Sequence, residues 1–169
     1  MTHGAKRVAQ LAGIAILMSA CSNGSAPGGG GGGGSGSLTV SAATPSNGNA
    51  SLTIVGVDTA DVPFATNGNK IFLALRATGG GKEHEFEVYI DPDDGDIPLI
   101  EHRWADDLDD GSGVYDGFTI CSNTGGFPVC DPAKFSADVA QGTLTFTGLV
   151  LSSALGDGDA STVTGTLSY

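Results

Sequence analysis

From His84 to Ile90 the side chains alternate without a break, Phe86, Val88 and Ile90 falling to one side and Glu85, Glu87 and Tyr89 to the other. A period of two marks a half-buried strand, because successive strand residues point to opposite faces. The pattern recurs. Between Thr143 and Val150, Leu144, Phe146, Gly148 and Val150 face away from Thr143, Thr145 and Thr147. In the tail, Val163, Gly165, Leu167 and Tyr169 oppose Thr162, Thr164, Thr166 and Ser168. Residues 71–77 carry Ile71, Leu73 and Leu75 on one side and Phe72 and Ala74 on the other, which reads as a central strand. Weaker strands are read over 38–42, 51–57, 100–104, 114–121 and 134–139. Turn formers punctuate them: Asn47-Gly48, Asn67-Gly68, Gly79-Gly80-Gly81, Asp110-Gly111 and Gly156-Asp157-Gly158. No 3.6-residue apolar period is sustained beyond the first twenty residues. The expectation is all-β: a single antiparallel β-sandwich, immunoglobulin-like or jelly-roll-like, over residues 38–169.

Composition narrows the partners. The chain has 169 residues, 7 Lys+Arg against 19 Asp+Glu, a net charge of −12 and 40% apolar residues. That supports a real core in one domain. The acidity argues against nucleic acid, whose phosphates call for a basic face, and against polybasic binding to a membrane surface.

The N-terminus reads as an address. Lys6 and Arg7 precede an apolar run from Val8 to Met18, broken by Gln10 and Gly13. The run is too short to span a bilayer, which takes roughly 20 residues, so residues 1–20 read as a signal peptide with an apolar helical core. It ends in Leu17-Met18-Ser19-Ala20-Cys21, which resembles the lipobox of bacterial lipoproteins. Met18 stands where that family usually has Leu. The resemblance implies cleavage before Cys21, acylation of its thiol (palmitate-type chains) and anchoring in the cell envelope. Ser22 after the Cys implies the outer membrane rather than the inner one. Residues 22–37 read SNGSAPGGGGGGGSGS, nine Gly in sixteen positions, a disordered linker reaching roughly 20–24 Å. With Lys6 and Arg7 removed, 5 basic residues face 19 acids, a charge of −14.

With Cys21 acylated in an oxidising compartment, Cys121 and Cys130 remain, bracketing an eight-residue, turn-rich loop. They are expected to form a structural disulfide.

Ten of the nineteen acids lie between Asp91 and Asp116, and Asp-x-Asp-Asp-Gly occurs there twice, from Asp91 and from Asp107. Alternate carboxylates closed by Gly suit oxygen ligation of Ca²⁺, so Asp91, Asp93, Asp94, Asp96, Asp107, Asp109 and Asp110 are the candidate metal ligands. The EF-hand pattern fails, since Gly95 falls at loop position 5 instead of 6. The copies flank the strand around 100–104, whose two ends they would occupy. Asp and Gly are also ordinary turn formers, which needs no ligand at all.

Trp104, Tyr89 and Tyr115 surround this block and are the candidate ligand-binding aromatics, Trp104 equally suiting the core beside Ile100 and His102. His102 is expected to face solvent or to pair with Glu101. Ser112 lacks the strand–elbow–helix setting of a hydrolase nucleophile. No catalytic constellation emerges, and an enzyme is not expected. Two functional readings follow. One is a non-catalytic, lipid-anchored module contacting an envelope protein or glycan at the surface or in the periplasm. The other is a Ca²⁺-assisted binder of a glycan or small ligand near Trp104.

Overall fold

The computed structural model describes residues 7–8, 33–64, 68–110, 112–124, 126–153 and 157–169. The lipobox, Cys21 and most of the leader and linker lie outside the described residues. Arg7–Val8 pairs antiparallel with Val114–Tyr115 in a two-residue ladder of its own.

The described chain is all-β. Ten strands build one antiparallel sheet: β1 (Ser35–Thr44), β2 (Ala50–Val55), β3 (Asp58–Pro63), β4 (Asn69–Gly79), β5 (Lys82–Ile90), β6 (Leu99–Ala105), β7 (Gly117–Ser122), β8 (Phe135–Asp138), β9 (Thr143–Ser152) and β10 (Ala160–Ser168). Their order is β2-β1-β10-β9-β7-β6-β5-β4-β3, with β8 also paired to β9. The sheet rolls into a half-barrel, and Gly56-Val57 alone connects β2 at one edge to β3 at the other. Midway, the described residues of β9 and β7 meet at a single pair, Ser152 with Ile120. The halves of the sheet on either side of this joint close on one apolar cluster, to which Leu38, Leu52, Leu144 and Val163 come from β1, β2, β9 and β10 and Leu73, Phe86, Val88 and Ile100 from β4, β5 and β6. No helix among the described residues is long and apolar enough to cross a membrane.

Local pattern and structure agree where neighbours leave alternation intact. In β5, His84, Phe86, Val88 and Ile90 are buried, while Glu85, Glu87 and Tyr89 lie outward and half-buried. The Gly79–Gly81 turn closes the β4–β5 hairpin, with Gly79 opposite Lys82. β4 lies one strand in from the β3 edge rather than at the centre.

Three expectations shift. β1 begins at Ser35, inside the span read as linker. Gly36 faces Leu167 of β10, and a Cβ there would collide with the Thr166 carbonyl, so this glycine is a packing residue and not tether. β9 changes face at Gly148, where a bulge (φ +78°) shifts the register between Thr147 and Leu149. Leu149 and Leu151 therefore enter the core, and Val150, expected inside, is 55% exposed. β3, which falls outside every span read as strand, is an edge strand paired with β4. Edge strands tolerate its polar residues because one side stays in water.

Candidate functional site

Cys121 of β7 is bonded to Cys130, with Cα atoms 4.9 Å apart and both side chains buried. The bridge pins the loop after β7, and the Ser122 N–H donates to the Pro128 carbonyl beneath it at 2.7 Å.

The two Asp-rich runs occupy opposite ends of β6, one on the β5–β6 connection and the other on the segment leaving β6 toward β7. With six residue steps between Leu99 and Ala105, the runs are about 20 Å apart. Their carboxylates mostly cap turns. Asp91 accepts from the Asp93 N–H, Asp94 from Asp96, Asp107 from Asp109 and Asp110 from Ser112, at 2.8–3.0 Å. These are Asx turns, the local motif that makes Asp a turn residue. Asp91 also accepts from Lys70 Nζ at 2.7 Å, a bond that together with the Asp93 N–H holds its carboxyl below the usual range. Asp96 receives the Asn123 amide, and Asp109 accepts from Arg76 at 2.6 Å. Among the described residues, no three His, Cys, Asp or Glu side chains converge as a metal site. An open depression of about 370 Å³ runs between Pro92–Gly95 and Ala137–Val139, with Asp93, Asp94 and Asp138 on its rim.

Trp104 corrects the aromatic expectation. Its ring is buried under Gly48 and Gly117 and donates Nε1–H to Asn47 Oδ1 at 3.1 Å, so it offers no platform to a ligand. Tyr89 and Tyr115 are half-buried, Tyr89 on the outer side of β5 and Tyr115 on the segment before β7. On the outer, convex side Arg103 is the crossroads: its guanidinium meets Glu85 at 3.0 Å, Glu87 at 3.1 Å and Glu101 at 2.6 Å. Arg76 extends the network by pairing with Glu85 at 2.5 Å. Tyr115 and Phe118 flank Arg103, each ring centroid 5.7 Å from the guanidinium carbon. Tyr89 packs between Phe64 and Phe72, its ring tilted to both with centroids 5.0 Å from each. The three Glu side chains are only 12–15% exposed. Burial pushes the Glu87 carboxyl up, against the pull of Arg103 and with the help of Glu101 and Glu85. Burial and the Glu87 charge push the Tyr89 hydroxyl up to about 12. For Arg103, burial alone would favour deprotonation, and the Glu87 and Glu101 charges reverse that, so the guanidinium stays charged.

The concave side holds a polar chain that sequence reasoning missed. His102, expected in solvent or beside Glu101, is fully buried. His84 Nε2 lies 3.2 Å from the Gly79 carbonyl, which only accepts, so that nitrogen carries the proton. His84 Nδ1 then accepts from His102 Nε2–H at 3.1 Å. His102 Nδ1 accepts in turn from Ser161 Oγ at 3.1 Å, and Ser161 accepts from Thr119 Oγ1 at 2.8 Å. Burial disfavours the protonated form of both rings, and with both neutral the bonds assign the two tautomers. Ser161 sits on β10, whereas His84, His102 and Thr119 sit on β5, β6 and β7 across the joint, so the chain is a polar tie through the core. The available signal was register: His84 and His102 share the inward phase of Phe86 and Trp104.

No family model, curated protein or solved structure matches the chain. The convex face offers a fixed guanidinium, three carboxylates and two aromatic clusters, with every strong charge already paired.

Proposed function

We propose that this chain is a bacterial lipoprotein, acylated at Cys21 after removal of residues 1–20, and that its β domain is a non-catalytic interaction module of the cell envelope, at the outer membrane. The observation that carries the reading is the buried Cys121–Cys130 cystine, a bond that persists in oxidising, exported compartments. The lipobox-like Leu17–Cys21 segment supplies the address. Acyl chains contribute about 0.8 kcal/mol per buried CH₂, so two or three make anchoring effectively permanent. The strand beginning at Ser35 leaves the tether between Cys21 and Gly34. The convex face around Arg103, Tyr89 and Tyr115 is the surface on which an envelope protein would dock. The single joint between β9 and β7, with the core shared by both halves of the sheet, supports describing the half-barrel as sandwich-like.

The second reading, Ca²⁺-assisted binding of a glycan or small ligand, is favoured by the partly exposed Tyr89 and Tyr115. It loses Trp104, and the separation of the Asp-rich runs means that each loop would hold an ion by itself.

Metabolic labelling with an alkyne fatty acid in a bacterial host tests the lipoprotein reading. The wild-type chain is expected to carry the label and to partition into detergent. Cys21→Ser is expected to lose the label, and inhibiting lipoprotein signal peptidase to accumulate the uncut precursor. An unlabelled, fully processed wild-type protein would overturn it.

A further inference from the structure

The 19 acids of this chain avoid four of its strands altogether. β1, β2, β9 and β10 contain no charged residue, whereas β3–β6 carry Asp, Glu, Lys or Arg on every strand. Registers align what stands on the outer side of this uncharged half of the sheet. One row runs Thr53, Ser37, Thr166 and Thr145 across four strands and reaches Ser136 on β8, whose exposed Asp138 marks the charged margin of the face. The next runs Ser51, Thr39, Thr164 and Thr147 across four. Ser41 and Thr162 begin a third, which ends at Val150 after the Gly148 bulge. Ser37, Thr39, Ser51, Thr53, Thr147, Thr164 and Thr166 are all exposed. The hydroxyls therefore repeat about every 4.8 Å across the strands and about every 6.7 Å along them.

Cross-strand Thr pairs stabilise a sheet, but that explains neither the exclusion of charge nor the want of any outward aromatic on these strands. The missing groups define the occupant. With no charge, the face does not fit a phosphate-bearing or ionic surface. With no aromatic ring, it lacks the platform on which sugars stack, and without a cluster of large apolar side chains it lacks the core of a protein interface. A hydroxyl exchanging one water for another in solution has almost no net gain. The gain comes when many hydroxyls and methyls meet partners already fixed at a matching period, because the contacts then add within one adsorption event. An uncharged, periodic lattice of water is the surface that such a face complements.

We propose that the outer face of β2-β1-β10-β9 adsorbs to ice, with the Thr164 row at its centre. The face lies on the opposite side of the core from the Arg103 network, and the proposal does not depend on the lipoprotein reading.

The test uses the full chain carrying Cys21→Ser, with its cystine intact, so that no acyl chain contributes. Single ice crystals are grown in its presence in a nanolitre osmometer, against albumin at equal concentration. Faceted crystals and inhibited growth are expected. Thr164→Lys, and independently Thr53→Lys, should lower the inhibition by about tenfold or more while the melting temperature is held. Asp58→Lys, on the charged half of the sheet, should leave it unchanged. Round crystals like those in albumin would overturn the proposal, as would equal inhibition by the Thr→Lys variants. So would retention on powdered cellulose or chitin in place of ice, or a dimer in sedimentation that Thr164→Lys dissolves.

Discussion

His84 and His102 are neutral rings in a chain whose every hydrogen has an assigned place, from Thr119 through Ser161 to the Gly79 carbonyl. Around it pack Phe86, stacked on His102 at 4.2 Å, and Trp104 at 4.9 Å. Burial lowers the affinity of both rings for protons; for His102 the neighbouring His84 adds to the effect, while for His84 the Gly79 bond opposes it. The unfolded chain regains the ordinary value near 6.5. Above that pH neither state is protonated and the contribution is constant. Below it the unfolded state binds more protons, so stability falls with pH, by at most about 1.4 kcal/mol per pH unit for each histidine. Glu87, with its carboxyl pushed up by burial, acts in the opposite direction, and Asp91, pushed down by the Lys70 bond, in the same direction. The Asp91 effect begins in the ordinary carboxylate range around pH 4, and the Glu87 effect above that range. Urea melts followed by the fluorescence of Trp104, the sole tryptophan, should show the loss setting in below about pH 6.5. His102→Gln should flatten that slope.

At the scale of the strand, β9 shows how one residue redirects an element. Strict alternation from Leu144 places Val150 inside and Leu149 outside, and the bulge at Gly148 exchanges them. The exchange has a sharp mutational signature. Leu149→Asp buries a charge without a partner and should cost more than about 3 kcal/mol, enough to prevent folding of a marginal domain. Val150→Asp should change stability by no more than about 0.5–1 kcal/mol, because the side chain already meets water. Thermal melts of the two variants distinguish the bulged register from an unbroken one, for which the ranking would reverse.

Across the whole molecule, the two halves of the sheet share a core but, among the described residues, one ladder pair at the joint, Ser152 with Ile120. Other links act beside it, among them the Ser161–His102 tie, the Trp104–Asn47 bond and the cystine that fastens the loop after β7. Reducing Cys121–Cys130, which closes an eight-residue loop, should cost somewhat under 3 kcal/mol in the chain-entropy account. Calorimetry with and without reductant measures this, and an unchanged melting temperature with two titratable thiols would contradict it. The charge asymmetry also belongs to this scale. One half of the sheet carries the Arg103 network and the other a neutral hydroxyl face, so the net charge of −12 describes neither surface.

Alternation, turn residues and cysteine spacing by themselves determined the all-β class, most of the strands, the antiparallel hairpins and the cystine. These are properties of neighbours in the chain: a period of two and a Gly-rich turn act over a few residues, and eight turn-rich residues between two cysteines allow closure. Tertiary structure alone decided the rest. The start of β1 at Ser35 depends on β10 accepting Gly36 against its backbone, and the flip at Gly148 depends on which side chains the core has room to bury. Trp104 and His102 have outward-capable polar tips, so sequence left both faces open to them; packing under Gly48 and Gly117, and Ser161 arriving from β10, chose the interior. The Arg103 crossroads and the rows of hydroxyls likewise exist only through register. Register joins residues that the chain separates by tens of positions, and no local pattern encodes which strand will lie beside which.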